Sequence, residues 1–135
     1  MNHRERREHR ADTEKNILTE RVIGAAIEVH KTLGPGLLES TYETCLAYEL
    51  ESIGLRVERQ QFVPLRYKQI NVEQAFKLDL LVEGQLILEL KCVEQLQPIH
   101  EAQMLTYLKL TGCPIGLLIN FNSKLLKDGI RRFIL

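Results

Sequence analysis

The chain has 135 residues, with 18 basic side chains against 18 acidic ones and a formal net charge of zero. That length suits one compact domain, and 44% hydrophobic residues are too many for a disordered chain. Neutrality argues against binding nucleic acid by bulk charge alone, and no apolar stretch approaches the roughly 20 residues of a membrane helix.

Met1–Arg10 lacks the apolar core of a signal peptide. Cys45, Cys92 and Cys113 are far apart and odd in number, so they fit neither a CxxC zinc site nor a closed disulfide set. Reduced thiols and a cytoplasmic location are expected.

Residues 1–16 are charged and nearly free of large apolar groups, which predicts a flexible tail or a loosely held helix start. Residues 17–135 are then a single domain. Thr19 is placed to cap a helix whose apolar stripe is Val22, Ala26, Val29 and Leu33. Gly34-Pro35-Gly36 stops it. A second helix is predicted from about Leu38 to Ile53, with Leu38, Tyr42, Cys45, Leu46 and Leu50 buried.

From Leu55 the period changes. Val57, Phe62, Val63, Leu65 and Tyr67 predict one or two strands around Pro64, which belongs on an edge or at a bend. Residues 75–82 and 86–94 read as a hairpin across Glu83-Gly84-Gln85. Pro98 opens a helix continued by Ile99, Ala102, Leu105 (or Thr106) and Leu108, and Gly112 closes it. Ile115–Ile119 is apolar throughout and predicts a buried strand; Arg132–Leu135 adds a last edge strand. The order ααβββαβ predicts an α/β domain, a mixed sheet flanked by helices.

The hairpin carries the chemistry. Asp79, Glu89 and Lys91 interrupt an otherwise apolar run. A three-residue turn with Gly84 left-handed sets Asp79 opposite Glu89, and Glu89 and Lys91, two apart, share a face. Two carboxylates on opposed strands repel unless a cation lies between them, which argues for a divalent metal with a lysine beside it. An exposed edge hairpin is the plain alternative, but Leu78, Leu80, Leu81, Val82, Leu86, Ile87, Leu88 and Leu90 make both faces apolar.

Gln103 and Tyr107 share a face of the following helix. Read plainly, Tyr107 is core and Gln103 surface; directly after this hairpin they are also substrate-positioning candidates. Glu39, in the first turn of the second helix, suits the helix dipole or supplies a further acid to the metal. His30 and His100 are expected to be hydrogen-bonded structural groups. Arg56, Arg59, Arg66, Lys68 and Lys77 face only Glu58 and Glu73 in residues 56–77, and Lys124, Lys127, Arg131 and Arg132 only Asp128 in 124–132. These clusters are a local basic rim or ordinary solvated surface.

Gly36-x-x-Glu39-x-x-Tyr42 is the pattern of the GxxExxY proteins, which are similar to the PD-(D/E)xK nuclease superfamily and its restriction-endonuclease-like fold. The chain resembles that family over roughly residues 18–135, with Val29–Gly36, Pro98–Gln103 and Asn120-Phe121-Asn122 as further matching stretches. No proline precedes Asp79, where Phe76-Lys77-Leu78 stands, and that position is variable in the superfamily.

The resemblance implies catalytic positions for Asp79, Glu89 and Lys91, the helical acidic position for Glu39, and a QxxxY element for Gln103 and Tyr107. It implies Mg²⁺ or Mn²⁺ held by Asp79, Glu89, Glu39 and the carbonyl of Leu90, hard oxygen donors that suit these ions. Lys91 would orient the attacking water or stabilise charge on the phosphate. The implied activity is phosphodiester hydrolysis in nucleic acid, DNA favoured over RNA. Two other readings stand beside it: a non-catalytic nucleic-acid- or protein-binding module of the same fold, and a structural homodimer with a vestigial acidic pocket. Intact Asp79, Glu89 and Lys91 argue against the last.

Overall fold

The computed structural model describes residues 2–135. Among them the chain forms three α-helices, α1 (His3–Leu33), α2 (Glu39–Ser52) and α3 (Pro98–Thr111). Five strands, β1 (Val57–Tyr67), β2 (Ile70–Val82), β3 (Leu86–Lys91), β4 (Ile115–Asn120) and β5 (Ile130–Ile134), make one sheet in the order β1-β2-β3-β4-β5. All neighbours are antiparallel except β3 and β4, which run parallel with α3 as their crossover. The expected mixed sheet flanked by helices is therefore what the chain forms.

β3 and β4 are buried almost throughout because both their faces are covered, and apart from Glu89, Lys91 and Asn120 their residues are apolar or glycine. On one side Val22, Ala26 and Val29 of α1 and Tyr42, Leu46 and Leu50 of α2 pack on Leu80, Val82, Leu86, Leu88, Leu90, Leu117 and Ile119. On the other, Met104 and Leu108 of α3 pack on Leu78, Ile87 and Leu118. Gly116 allows this close approach, since a Cβ there would collide with Met104 Sδ. No helix among the described residues is long and apolar enough to cross a membrane.

Two elements differ from expectation. α1 starts at His3, not after Thr19. Asn2 caps it: its Oδ1 accepts the Glu5 N–H at 2.9 Å while the Glu5 carboxylate accepts the Asn2 N–H at 3.3 Å. Thr19 is a buried mid-helix residue whose hydroxyl donates to the Lys15 carbonyl at 2.8 Å. The charged segment has good helix formers and an i,i+4 pair, Arg4–Glu8, so it continues α1 although residues 2–14 stay exposed.

β1 is one strand along the sheet edge, with a register shift between Val63 and Leu65 where Pro64 sits, in line with the edge or bend expected there. The second difference is β2, which begins at Ile70, five residues earlier than the hairpin reading placed it, and pairs β1 from Val82 to Ile70 with interruptions at Asp79 and opposite Pro64. β3 pairs only Leu80–Val82. Residues 61–78 therefore form a two-stranded ribbon that outruns the rest of the sheet.

Candidate active site

The β2–β3 ladder has three rungs, Val82↔Leu86, Leu81↔Ile87 and Leu80↔Leu88. The turn Glu83-Gly84-Gln85 sets this register, with Gly84 left-handed at φ 65 as its spacing requires. Glu83 is left-handed too, at φ 54, and is held by the Arg56 N–H, which donates to its carboxylate at 2.7 Å.

The same register carries on to Asp79 and Glu89, and there the strands part. The Glu89 carboxylate accepts the Asp79 N–H at 2.8 Å, and the Asp79 carboxylate accepts the Leu90 N–H at 2.9 Å. Each carboxylate takes the place of a ladder carbonyl of its own strand. Both therefore lie in a fork between β2 and β3.

The fork has a backbone cause on its other side. β1 and β2 pair at Arg59↔Leu80 and Gln61↔Leu78, but the rung between them, Gln60 with Asp79, is missing. Gln60 is left-handed at φ 50. Across Asp79 the strand changes face: Leu80 and Val82 belong to the core under α1 and α2, Phe76 and Leu78 to the core under α3. A regular strand keeps alternate residues on one face. The interruption turns the Asp79 N–H toward Glu89, away from β1.

Burial and like charge dominate the electrostatics. Glu89 is only 5% exposed. Burial first, then the neighbouring Asp79 charge, push its carboxyl up to about 8, against the Asp79 N–H and Lys91, which lower it. Burial also raises Asp79, opposed by the Leu90 N–H and by Lys91, with Glu43 raising it further. At neutral pH and without a cation the fork thus retains a proton.

Lys91 is half-buried at the end of β3, where its carbonyl accepts the Phe121 N–H at 2.8 Å. Among the described residues it forms no ion pair with either carboxylate.

A cavity of about 330 Å³ opens beside the fork, lined by Glu39, Ser40, Glu43, Gln60, Asp79 and Leu90. Glu39, exposed in the first turn of α2, also contributes to raising Glu89. Glu43, buried one turn on, accepts from Arg59 Nε at 3.2 Å and Nη2 at 3.0 Å and from the Gln60 side-chain amide. The Gln60 side chain also faces Asp79 closely enough to favour its charged form. Sequence reasoning missed Glu43 and Gln60. Four residues from Glu39, Glu43 shares its helical face and was findable by spacing. The backbone at Gln60 carries no such signal.

Leu90 buries its side chain under α1 and α2. The N–H and C=O of one extended residue point to the same strand edge. Its carbonyl therefore turns toward the fork, like the N–H that Asp79 takes.

On α3, Tyr107 stacks on Phe76, with centroids 4.5 Å apart at 12°. Its hydroxyl is raised by burial and then by the Glu89 and Asp79 charges, which puts it within electrostatic reach of the fork. Gln103 is half-buried one turn earlier and makes no side-chain hydrogen bond among the described residues. His100 Nδ1 accepts the Gln97 N–H at 3.0 Å at the start of α3, and His30 Nε2 lies 2.8 Å from the Ser123 carbonyl. Both are structural, as expected.

The Gly36-Glu39-Tyr42 pattern is a clamp. Tyr42 is fully buried and stacks on Phe121 at 4.4 Å. Its hydroxyl donates to the Gly34 carbonyl at 2.6 Å and accepts the Leu37 N–H at 3.1 Å. Gly36 N–H donates to Asn122 Oδ1 at 3.1 Å, and buried Asn120 binds both backbone groups of Val93, at 2.8 and 3.1 Å. These bonds tie the approach to α2, and with it Glu39, to the ends of β3 and β4.

The donors suit a hard divalent cation. Asp79 and Glu89 each spend one oxygen on a backbone N–H, and among the described residues the buried Glu89 forms no ion pair. Among the described residues no group of three Asp, Glu, His or Cys side chains stands ready to enclose an ion, so any third donor here is a carbonyl or a side chain that moves.

Residues 16–133 match the family model described as the PD-(D/E)XK nuclease superfamily. No curated protein and no solved structure gives a match.

Proposed function

The chain belongs to the PD-(D/E)XK nuclease superfamily, and we propose that it hydrolyses phosphodiester bonds of nucleic acid at the Asp79–Glu89 fork with Mg²⁺ or Mn²⁺. The observation that carries this reading is the fork itself: two partly desolvated carboxylates replace backbone acceptors in the middle of a buried sheet. Such a pair is costly without a cation between its members. The Gly36-Glu39-Tyr42 clamp supports placing the chain among the GxxExxY proteins.

Asp79, Glu89 and the Leu90 carbonyl are the proposed holders of the ion, with Glu39 reaching in from α2. When bound, the cation supplies Lewis acidity to a phosphate oxygen and acidifies a water. Filling the fork releases the proton that burial keeps there. Lys91, two residues from Glu89, donates to the attacking water or to a phosphate oxygen. Gln103 and Tyr107 hold that water, or the backbone beside the scissile bond, in line for attack. Gln60, tied to Glu43 and Arg59, keeps Asp79 turned into the fork.

The test is turnover of labelled single- and double-stranded DNA and RNA with Mn²⁺, for wild type and for Lys91→Ala of verified fold. Metal-dependent cleavage that Lys91→Ala abolishes supports the reading. Bound metal with no turnover across that panel favours the alternative, a non-catalytic binding module.

A further inference from the structure

We propose that the ribbon 61–78 is a docking arm for single-stranded nucleic acid, with Phe62 and Tyr67 stacking unpaired bases and Lys77, Lys68 and Arg66 holding phosphates. This rests on the nuclease reading above and names the form of substrate that reaches the fork.

Two-stranded ribbons are marginal unless a face is covered. Here only one face is. Val63 and Phe76 pack with Tyr107 in the core under α3. Phe62 and Lys77, cross-strand partners, point the other way, and Phe62 is 46% exposed. At the tip Tyr67 and its partner Ile70 are each 58% exposed.

Lys77 Nζ lies 5.5 Å from the Phe62 ring centroid, and Lys68 Nζ 5.4 Å from that of Tyr67. Neither lysine, nor Arg66, forms an ion pair among the described residues. Residues 61–78 hold only one acid, Glu73. An arm that sets exposed rings beside cations free of ion pairs, on a chain of zero net charge, is complementary to a strand of bases and phosphates.

Position and geometry narrow the occupant further. Phe62 and Lys77 are each two residues from the Gln60–Asp79 interruption, so a strand lying on them reaches the fork. Base faces are available only when unpaired, which favours a single strand over a duplex. The edge of β1 is broken at Gln60 and carries Pro64, which discourages pairing with a second copy of the chain.

The test is fluorescence anisotropy in EDTA, where cleavage does not intrude. The probes are short labelled oligodeoxythymidine, oligouridine and a DNA duplex of equal length. Wild type should bind at least one single strand more tightly than the duplex. Phe62→Ala and Tyr67→Ala should each weaken that binding by at least about fivefold, since base stacking on an aromatic is worth ~1–3 kcal/mol by alanine substitution. Lys77→Gln should flatten the salt dependence by about 0.7 in log–log slope.

The proposal is overturned by duplex binding as tight as single-strand binding, by affinities that the ring variants leave unchanged, or by no binding by wild type at low salt. Self-association lost in the ring variants also overturns it, making the arm a homodimer face. The nuclease reading fails separately. Absent Mn²⁺ turnover with arm-dependent binding retained removes catalysis and leaves the arm standing.

Discussion

The carboxylate of Glu89 accepts the backbone N–H of Asp79 at 2.8 Å, where a strand carbonyl would ordinarily sit. One side chain thus ends the β2–β3 ladder and faces a second carboxylate whose own acceptor role is filled by Leu90 N–H. The strand opening and the acidic site are the same feature, so perturbing one perturbs the other.

A pH dependence follows. Glu89 is raised from its ordinary 4.5 to about 8 in the folded chain. Between those values the native state holds a proton that the unfolded chain has released, so stability falls as pH rises through that window. In EDTA the melting temperature should decline from about pH 5 to pH 8. Glu89→Gln keeps an oxygen for the Asp79 N–H and removes the titration. Its melting temperature should be flatter with pH and should exceed that of wild type at the alkaline end. A wild-type melting temperature that rises over this window contradicts the account.

The α3 residues are separable by two substitutions at one position. Tyr107→Phe keeps the stack on Phe76 and removes only the hydroxyl. It should lower turnover with little change in stability. Tyr107→Ala loses the stack, worth ~0.5–1.5 kcal/mol beyond the area buried, and should melt lower. Gln103→Ala should reduce turnover with metal affinity nearly intact. If Tyr107→Phe turns over like wild type while Tyr107→Ala fails to fold, Tyr107 is a packing residue alone.

Glu43 should matter although it is one turn removed from the fork. Glu43→Ala strips Arg59 and Gln60 of a shared, largely buried acceptor. The expected loss is about 1–3 kcal/mol in chemical denaturation. Mn²⁺ affinity should fall with it, because Gln60 no longer steadies Asp79. Glu43→Gln retains an acceptor and should recover part of both. A loss of stability with unchanged metal affinity would limit Glu43 to a structural role.

Much of this was legible before the fold was known. Gly84 dictated the turn, and the turn fixed the register that sets Asp79 against Glu89. The helix breaks at Gly34-Pro35-Gly36 and Gly112 are physical stops and fell where expected. The missed features depend on tertiary override of local rules. Thr19 has the chemistry of a cap, but the charged residues before it are themselves good helix formers. The apolar residues on both sides of Asp79 signalled a buried strand, yet alternation does not reveal that the strand changes face there. That change lies in the backbone at Gln60, for which glutamine gives no local warning. The spacing from Glu39 puts Glu43 on the same helical face, but its partners Arg59 and Gln60 come from β1 and are brought to α2 only by folding.

The central claim is that the Asp79–Glu89 fork binds a divalent cation in exchange for a proton. Calorimetric titration with Mn²⁺ near neutral pH, in two buffers of different ionisation enthalpy, measures both at once. Asp79→Asn is the control, because asparagine keeps an oxygen for the Leu90 N–H. Wild type should bind Mn²⁺ with release of about one proton, and Asp79→Asn should bind far more weakly. Equal Mn²⁺ binding by the two proteins, or binding without proton release, would contradict the account.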